Sequence, residues 1–288
     1  MTSAFRTTDG ARAVRNRYEQ LLQQWPSPTR RHLVPTSAGE TFVIESGPVD
    51  APAVVLLHGT ASNSAMWLGD VAGWTQRFRV FAVDIIGDAG LSAFNRPPLD
   101  TDAHARWLDD VLAGLSLQRA SLVGISLGGW LSLDYATRRP ERVQKLVVIN
   151  PGGVGQPRNV LIWALPLLML GRWGRRKMME RIAGAPSGSP SPDQAEAATF
   201  FELIFRHFRP RTAMLPRFED AALDRLSMPV LAIIGGKDVF IDAPGTRTRL
   251  EAHVHDLTVS FLPDAHHFVP DQAPKIEAFL AAQPAASV

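Results

Sequence analysis

Ser126 stands between two glycines in Gly124-Ile125-Ser126-Leu127-Gly128, a Gly-x-Ser-x-Gly segment. The apolar run 120–123 leads into it and a helix-capable stretch, 130–139, leads out. Strand, sharp turn and helix in that order lift a serine hydroxyl clear of its neighbours at the carboxyl end of a buried strand. A serine hydroxyl is a weak nucleophile at neutral pH. To attack an acyl carbonyl it needs a base within hydrogen-bond reach and a carboxylate to orient that base. Gly-x-Ser-x-Gly also arises by chance, so its weight depends on finding those partners elsewhere in the chain.

Such partners gather at the carboxyl ends of strands in an open α/β sheet. After the apolar run 230–234 comes Gly235-Gly236-Lys237-Asp238, which puts Asp238 in place for the acid, with Asp242 as a nearby competitor. After 258–262 comes Asp264-Ala265-His266-His267-Phe268, and one of these histidines is in place for the base. After 54–57 comes His58-Gly59-Thr60-Ala61. This loop is positioned for an oxyanion hole, built from the backbone N–H groups of Thr60 and Leu127. Donors of that kind contribute about 10²–10³ in rate each. His58 is expected to hydrogen-bond within its own loop.

The elements that must carry these residues are read from periodicity. The uninterrupted apolar runs at 54–57, 80–83, 122–123, 146–149 and 230–234 suit strands buried on both faces, and 258–262 closes the series. Two shorter strands, 31–34 and 41–45, flank a turn and form an antiparallel edge. Helical patterns fall between the runs at 67–77, 101–115, 130–139 and 275–282. Alternating strands and helices predict an α/β protein with a mostly parallel central sheet covered by helices on both faces. An amphipathic helix with Val14, Tyr18, Leu21, Leu22 and Trp25 on one face precedes them, so residues 1–30 are expected to dock on the core. The alternation fails between Pro151 and Asp224. Residues 151–224 are therefore expected to form a helical cap inserted in a core of 31–150 and 225–288.

Together these residues resemble the α/β-hydrolase family over 52–269. The resemblance rests on His58-Gly59, Asp84-Ile85-Ile86-Gly87 with Gly90 and Ser92, Gly124 to Gly129, Pro140-Glu141-Arg142-Val143, Asp238 and His267, in the family's order and spacing. It implies a Ser126–Asp238–His267 triad in the chain order serine, acid, histidine. Relatives that carry the acid one strand earlier would place it at Asn150, which cannot ionise. The family usually has glycine before the catalytic histidine, where this chain has His266. Trp25-Pro26 and Asp84-Ile85-Ile86-Gly87-Asp88 are similar to bacterial carboxylesterases acting on aryl and arylpropionate esters. The resemblance thus implies a serine hydrolase of carboxylic esters with hydrophobic acyl or aryl groups. Other chemistry of the same triad is the alternative: a carbon–carbon bond hydrolase, lactonase, perhydrolase or acyltransferase, or a ligand receptor that keeps the triad. Ser126 argues against haloalkane dehalogenases and epoxide hydrolases, which use aspartate at the elbow.

Trp67, Trp130 and Trp163 are candidate pocket residues, with core packing the competing reading for the first two. The apolar stretch 161–170 could roof an acyl pocket, pack inside the cap or form an interfacial patch beside the basic residues Arg172, Arg175, Arg176, Lys177 and Arg181, which otherwise read as a solvated helix face. With 288 residues and no cysteine, the chain excludes thiolate chemistry and disulfide scaffolds. A formal net charge of +2 gives no reason to expect nucleic acid. No metal or organic cofactor is expected. No apolar run reaches the length of about 20 residues that a spanning helix needs. No secretory signal follows the N-terminal arginines, so a cytoplasmic protein acting on a small-molecule ester, as monomer or dimer, is expected.

Overall fold

The computed structural model describes residues 4–158, 165–167, 169–184 and 191–282. Among them are eight strands: β1 (Thr29–Val34), β2 (Thr41–Ser46), β3 (Ala53–Leu57), β4 (Arg79–Val83), β5 (Ala120–Ile125), β6 (Val143–Ile149), β7 (Val230–Gly235) and β8 (Leu257–Leu262). They make one sheet in the order β1-β2-β4-β3-β5-β6-β7-β8. β2 runs antiparallel to β1 and β4, and every other pairing is parallel. After β3 the chain moves to one side for β4 and returns to the other for β5. This reversal opens a crevice at the carboxyl ends of β3 and β5, and Ser126 follows β5 directly.

Helices cover both faces. α1 (Thr8–Leu22), the short α2 (Leu68–Trp74), α3 (Ala103–Gly114) and α4 (Leu127–Arg138) lie in the first half. α5 (Gly171–Ala183), α6 (Pro192–His207) and the one-turn α7 (Asp220–Leu223) lie between β6 and β7, and α8 (Ala243–His253) and α9 (Ala273–Ala281) complete the chain. The sheet's two faces carry separate apolar clusters. Leu57, Phe81, Trp107 and Leu122 belong to one, and Leu56, Trp74, Val123 and Ile233 to the other.

α1 docks as its amphipathic pattern demands, burying Val14, Tyr18, Leu21 and Leu22. Its anchor is polar as well. Tyr18 donates to Asp84 Oδ1 at 2.8 Å, an oxygen that also accepts from the Ser64 amide and hydroxyl, while Asp84 Oδ2 accepts from the Leu91 amide. Burial and the Asp84 carboxylate push the Tyr18 phenol well above its ordinary range.

The expected α/β architecture is present, with a helical region between β6 and β7. Several boundaries differ. β1 starts at Thr29, two residues early. The segment expected as one helix over 67–77 divides into a 3₁₀ turn, Ser64–Trp67, and α2. α4 begins at Leu127, not at Trp130, so the helix starts on the residue after Ser126. α8 was not anticipated, and its composition explains why. It opens Ala-Pro-Gly and continues through Thr and Arg, burying Ala243, Thr246 and Leu250 and so offering almost no amphipathic stripe.

Candidate active site

Ser126 sits at φ 55° and ψ −111°. A non-glycine residue in that region is strained, and such strain concentrates where a side chain must be presented. The backbone around it is fixed on three sides. The Ser126 amide donates to Ile149 O at 2.9 Å, the Trp130 amide donates to Ser126 O at 2.9 Å, and the Gly59 backbone lies against the Ser126 side chain. Two glycines make the turn possible. A Cβ on Gly128 would drive into the carbonyl oxygens of Leu57 and His58, and one on Gly124 into the carbonyl of Gly128. β5, α4 and the 58–60 loop can therefore approach this closely only with glycine at both places.

The candidate acid and base, Asp238 and His267, lie in the loops after β7 and β8. His267 Nδ1 lies 2.6 Å from Asp238 Oδ2, and both residues are buried. A carboxylate only accepts, so the hydrogen of this bond sits on Nδ1 and leaves Nε2 with a free lone pair. The other carboxylate oxygen, Oδ1, accepts from the amides of Phe240 (2.7 Å) and Ile241 (3.3 Å). Asp242, the competitor, is used elsewhere: it caps α8 through the Gly245 amide and accepts from the Gln156 amide. The two histidines separate equally clearly. His267 meets the carboxylate, whereas His266 Nδ1 bonds the Arg181 carbonyl at 3.0 Å.

Asn150 joins the strand end beside Ser126 to the loop that carries His267. The residue before it, Ile149, receives the Ser126 amide. Its own Nδ2 donates to His267 O (2.8 Å) and His266 O (3.2 Å), and its Oδ1 accepts from the Gly235 amide at the end of β7 (2.8 Å). Among the described residues no hydrogen bond joins the Ser126 hydroxyl to His267. Such bonds commonly tighten only when substrate is bound.

The two candidate oxyanion donors, Thr60 and Leu127, lie in the loop after β3 and directly after Ser126. Leu127 is the first residue of α4, where helix geometry leaves the amide without an intrahelical partner, and Thr60 follows the Gly59 that abuts Ser126. His58 is held by two bonds. Nδ1 lies 2.8 Å from Gly59 O and must donate, while Nε2 accepts from the Ile85 amide at 2.9 Å. Those two roles require the neutral ring.

Trp67 is packed in the core, its ring 6.1 Å from that of Trp74. Trp130 stacks on Phe218 at 5.7 Å and donates to Pro216 O at 2.8 Å, tying α4 to the chain that returns from the helical region. Trp163 lies outside the described residues. Of the apolar 161–170 stretch, Leu165, Met169 and Leu170 are exposed, as is Trp173. Arg176 and Lys177 both pair with Glu180 on a solvated face of α5. Sequence reasoning passed over Phe240 and Phe268, whose rings meet the His267 imidazole edge-on at 4.7 Å and 5.7 Å. Their adjacency to the acid and the base was the available signal.

The profile of the alpha/beta hydrolase family matches residues 54–278. The chain belongs to that family. It is 31% identical over 262 residues to carboxylesterase YbfK of Bacillus subtilis, covering 90% of this chain and 88% of the relative. The carboxylesterase nap of the same organism is 28% identical over 260 residues, covering 89% and 87%. Among solved structures, B. subtilis CesB (YbfK) superposes with a TM-score of 0.79 at 29% identity over 95% of this chain and 99% of its own. B. subtilis naproxen esterase superposes with a TM-score of 0.80 at 26% identity over 95% and 98%. No helix among the described residues is long and apolar enough to cross a membrane, and no cluster of three or more potential metal ligands occurs among them.

Proposed function

We propose that this α/β hydrolase cleaves carboxylic esters of hydrophobic acyl or aryl groups through a covalent acyl-enzyme on Ser126. The observation that carries this reading is the buried 2.6 Å contact between His267 Nδ1 and Asp238 Oδ2 beside a serine at φ 55°. In the proposed reaction His267 Nε2 takes the hydroxyl proton as Ser126 Oγ attacks the ester carbonyl. The backbone amides of Thr60 and Leu127 receive the negative charge that develops on the carbonyl oxygen. The imidazolium then protonates the departing alkoxide, releasing the alcohol and leaving the acyl group on Ser126. Water enters, His267 removes its proton, and collapse of the second tetrahedral intermediate returns that proton to Ser126 and releases the acid. Asp238 holds the imidazole in the Nδ1–H tautomer throughout and stabilises its charged form.

The domain organisation follows from the same reading. Residues 31–150 and 225–288 form the catalytic core, 1–30 dock on it, and 151–224 act as a cap that selects the ester. The apolar side chains of Phe240, Phe268, Met178 and Ile182 near the base favour an apolar substrate. The test is fluorophosphonate labelling and hydrolysis of short p-nitrophenyl esters by the parent and by Ser126→Ala. Labelling and turnover are expected in the parent and in neither assay for the variant. A variant that hydrolyses esters as fast as the parent removes Ser126 from the mechanism.

A further inference from the structure

Two carbonyls at the end of α5 are taken up by the loop that carries the base. Ile182 O accepts from the His267 amide at 3.0 Å, and Arg181 O lies 3.0 Å from His266 Nδ1. A carbonyl only accepts, so His266 Nδ1 carries the hydrogen. The last turn of any helix leaves carbonyls without intrahelical partners. Here two of them end on the His266–His267 pair. The chain then turns at Gly184 (φ 85°) close to the His266 ring, where an added Cβ would stand 3.1 Å from Cδ2.

Side-chain packing repeats the pattern. Met178 and Ile182 of α5 form a small apolar cluster with Leu167, Phe205, Val239, Phe240 and Phe268, with Phe240 also packed against one of the two large clusters of the core. Val239 and Phe240 belong to the acid's loop and Phe268 to the base's. α6 reaches the same loop through Phe205 in this cluster and Phe201, whose ring meets Phe268 edge-on at 5.7 Å, and it is also held by α1 and the N-terminal segment. The Phe200 ring stacks on Tyr18 at 6.2 Å, Arg17 pairs with Glu196 at 2.5 Å, and the Arg6 amide donates to His207 O at 2.8 Å. Both helices thus reach the loops of Asp238 and His267 through side chains, α6 is tied to α1 as well, and the two hydrogen bonds to the backbone and side chain of the 266–267 pair come from α5.

We infer that His266 is a positioning residue: its imidazole and the His267 amide together latch the end of α5 onto the catalytic loop, so that the base is held against Asp238 while α5 is seated. The inference rests on the hydrolase reading above for its catalytic consequence, but not for the latch itself. Lifting α5 breaks both hydrogen bonds at once and releases the backbone of the base. Seating it restores them and covers the acid–base pair with Met178 and Ile182. A substrate bound beneath a seated α5 thus meets an aligned imidazole.

The test uses the full chain with His266→Ala, which lacks the donor, and His266→Asn, whose Nδ2 occupies a place similar to Nδ1. Hydrogen–deuterium exchange of 177–184 and 265–268 is expected to quicken about fivefold in His266→Ala, the effect of losing one net hydrogen bond. β3 and β5 should be unchanged. kcat on p-nitrophenyl butyrate should fall about fivefold with KM within twofold, and His266→Asn should return both quantities to within twofold of the parent. Met178→Ala, which loosens α5 from its packing side, should reproduce the exchange pattern and guards against misfolding of the first variant. Exchange that stays at the parent's rate in His266→Ala overturns the latch, as does an Asn variant no better than Ala. Repeating the exchange in a Ser126→Ala background reads the latch without turnover, so a failed hydrolase assignment shows only in the ester assay.

Discussion

Replacing Asp238 by Asn separates the charge of the acid from its shape. Both carboxylate oxygens accept hydrogen bonds: Oδ1 from the amides of Phe240 and Ile241, Oδ2 from His267 Nδ1. An asparagine has one oxygen for these two places. Turning its NH₂ toward the backbone amides sets donor against donor and forfeits two bonds of about 1 kcal/mol each. The favoured arrangement keeps the oxygen there and points the NH₂ at His267. Nδ1 must then accept, the ring hydrogen moves to Nε2, and the nitrogen proposed to take the Ser126 proton can no longer do so. The wrong tautomer lowers turnover by about 10⁴ in the triad template, or about 5.5 kcal/mol of barrier. Asp238→Asn is therefore expected to lose about 10⁴ in kcat/KM on p-nitrophenyl butyrate while its urea midpoint stays close to the parent's. Asp242→Asn is the control. It caps α8, and Asn caps as well as Asp, so activity should remain within about threefold. The reasoning fails if a folded Asp238→Asn keeps more than about a tenth of parental activity, or if Asp242→Asn is the variant that loses it.

Three other substitutions probe the frame around the triad. Ser126→Gly relieves the strain at φ 55° and should raise unfolding stability by about 1 kcal/mol in urea while abolishing fluorophosphonate labelling; a less stable variant would contradict the strain argument. Asn150→Ala strands the buried Gly235 amide and two loop carbonyls, so urea titration should show a loss of about 2–4 kcal/mol, with kcat reduced as the base loop loosens. Asp70 is pushed up to about 6 by burial first and by the Asp271 carboxylate second. The folded chain then holds this proton more tightly than the unfolded chain, so its contribution to stability is full below the ordinary value of 3.8 and is lost as pH rises through about 6. Asp70→Asn should accordingly be about 1–3 kcal/mol more stable than the parent at pH 8, with the gap closing by pH 4, as read from urea midpoints at both values.

The strands were legible because burial on both faces of a parallel sheet writes itself as short apolar runs. β3, β4 and β7 lie within a residue or so of the runs at 54–57, 80–83 and 230–234, while β6 ends with the run 146–149 but begins three residues earlier, at Val143. Helices were legible in proportion to their exposed face. α1 shows its stripe, while α8 hides in a polar sequence because it buries little beyond Thr246 and Leu250. The start of α4 was misplaced for a different reason. Gly128 and Gly129 look like loop by propensity, yet the helix must already be running there. The turn at Ser126 needs a helix departing at once, and the glycines allow it to pass the Leu57 and His58 carbonyls.

The same distinction divides the site. Ser126, Asp238 and His267 could be marked because each follows an apolar run, and the position after a buried strand is a local property of sequence. Their alignment is not local. Asn150 binds backbone 116 and 117 residues away, and the α5 carbonyls reach the base loop across 85 residues. Neither contact has a spacing that a motif could record, because carbonyls of any residue type serve equally. Asn150 stands at the carboxyl end of β6, where the strand-end rule also points. It reads there as a vacant acid position because the rule asks for a carboxylate. What that position supplies instead is an amide with both a donor and an acceptor. A carboxylate at 150 has no hydrogen to offer the two loop carbonyls, whereas the amide meets them and the Gly235 N–H together. With the acid proposed at Asp238, one strand further along the sheet, the β6 strand end is free to tie the β7 and β8 loops together, and asparagine is the residue whose bonding capacity matches that task.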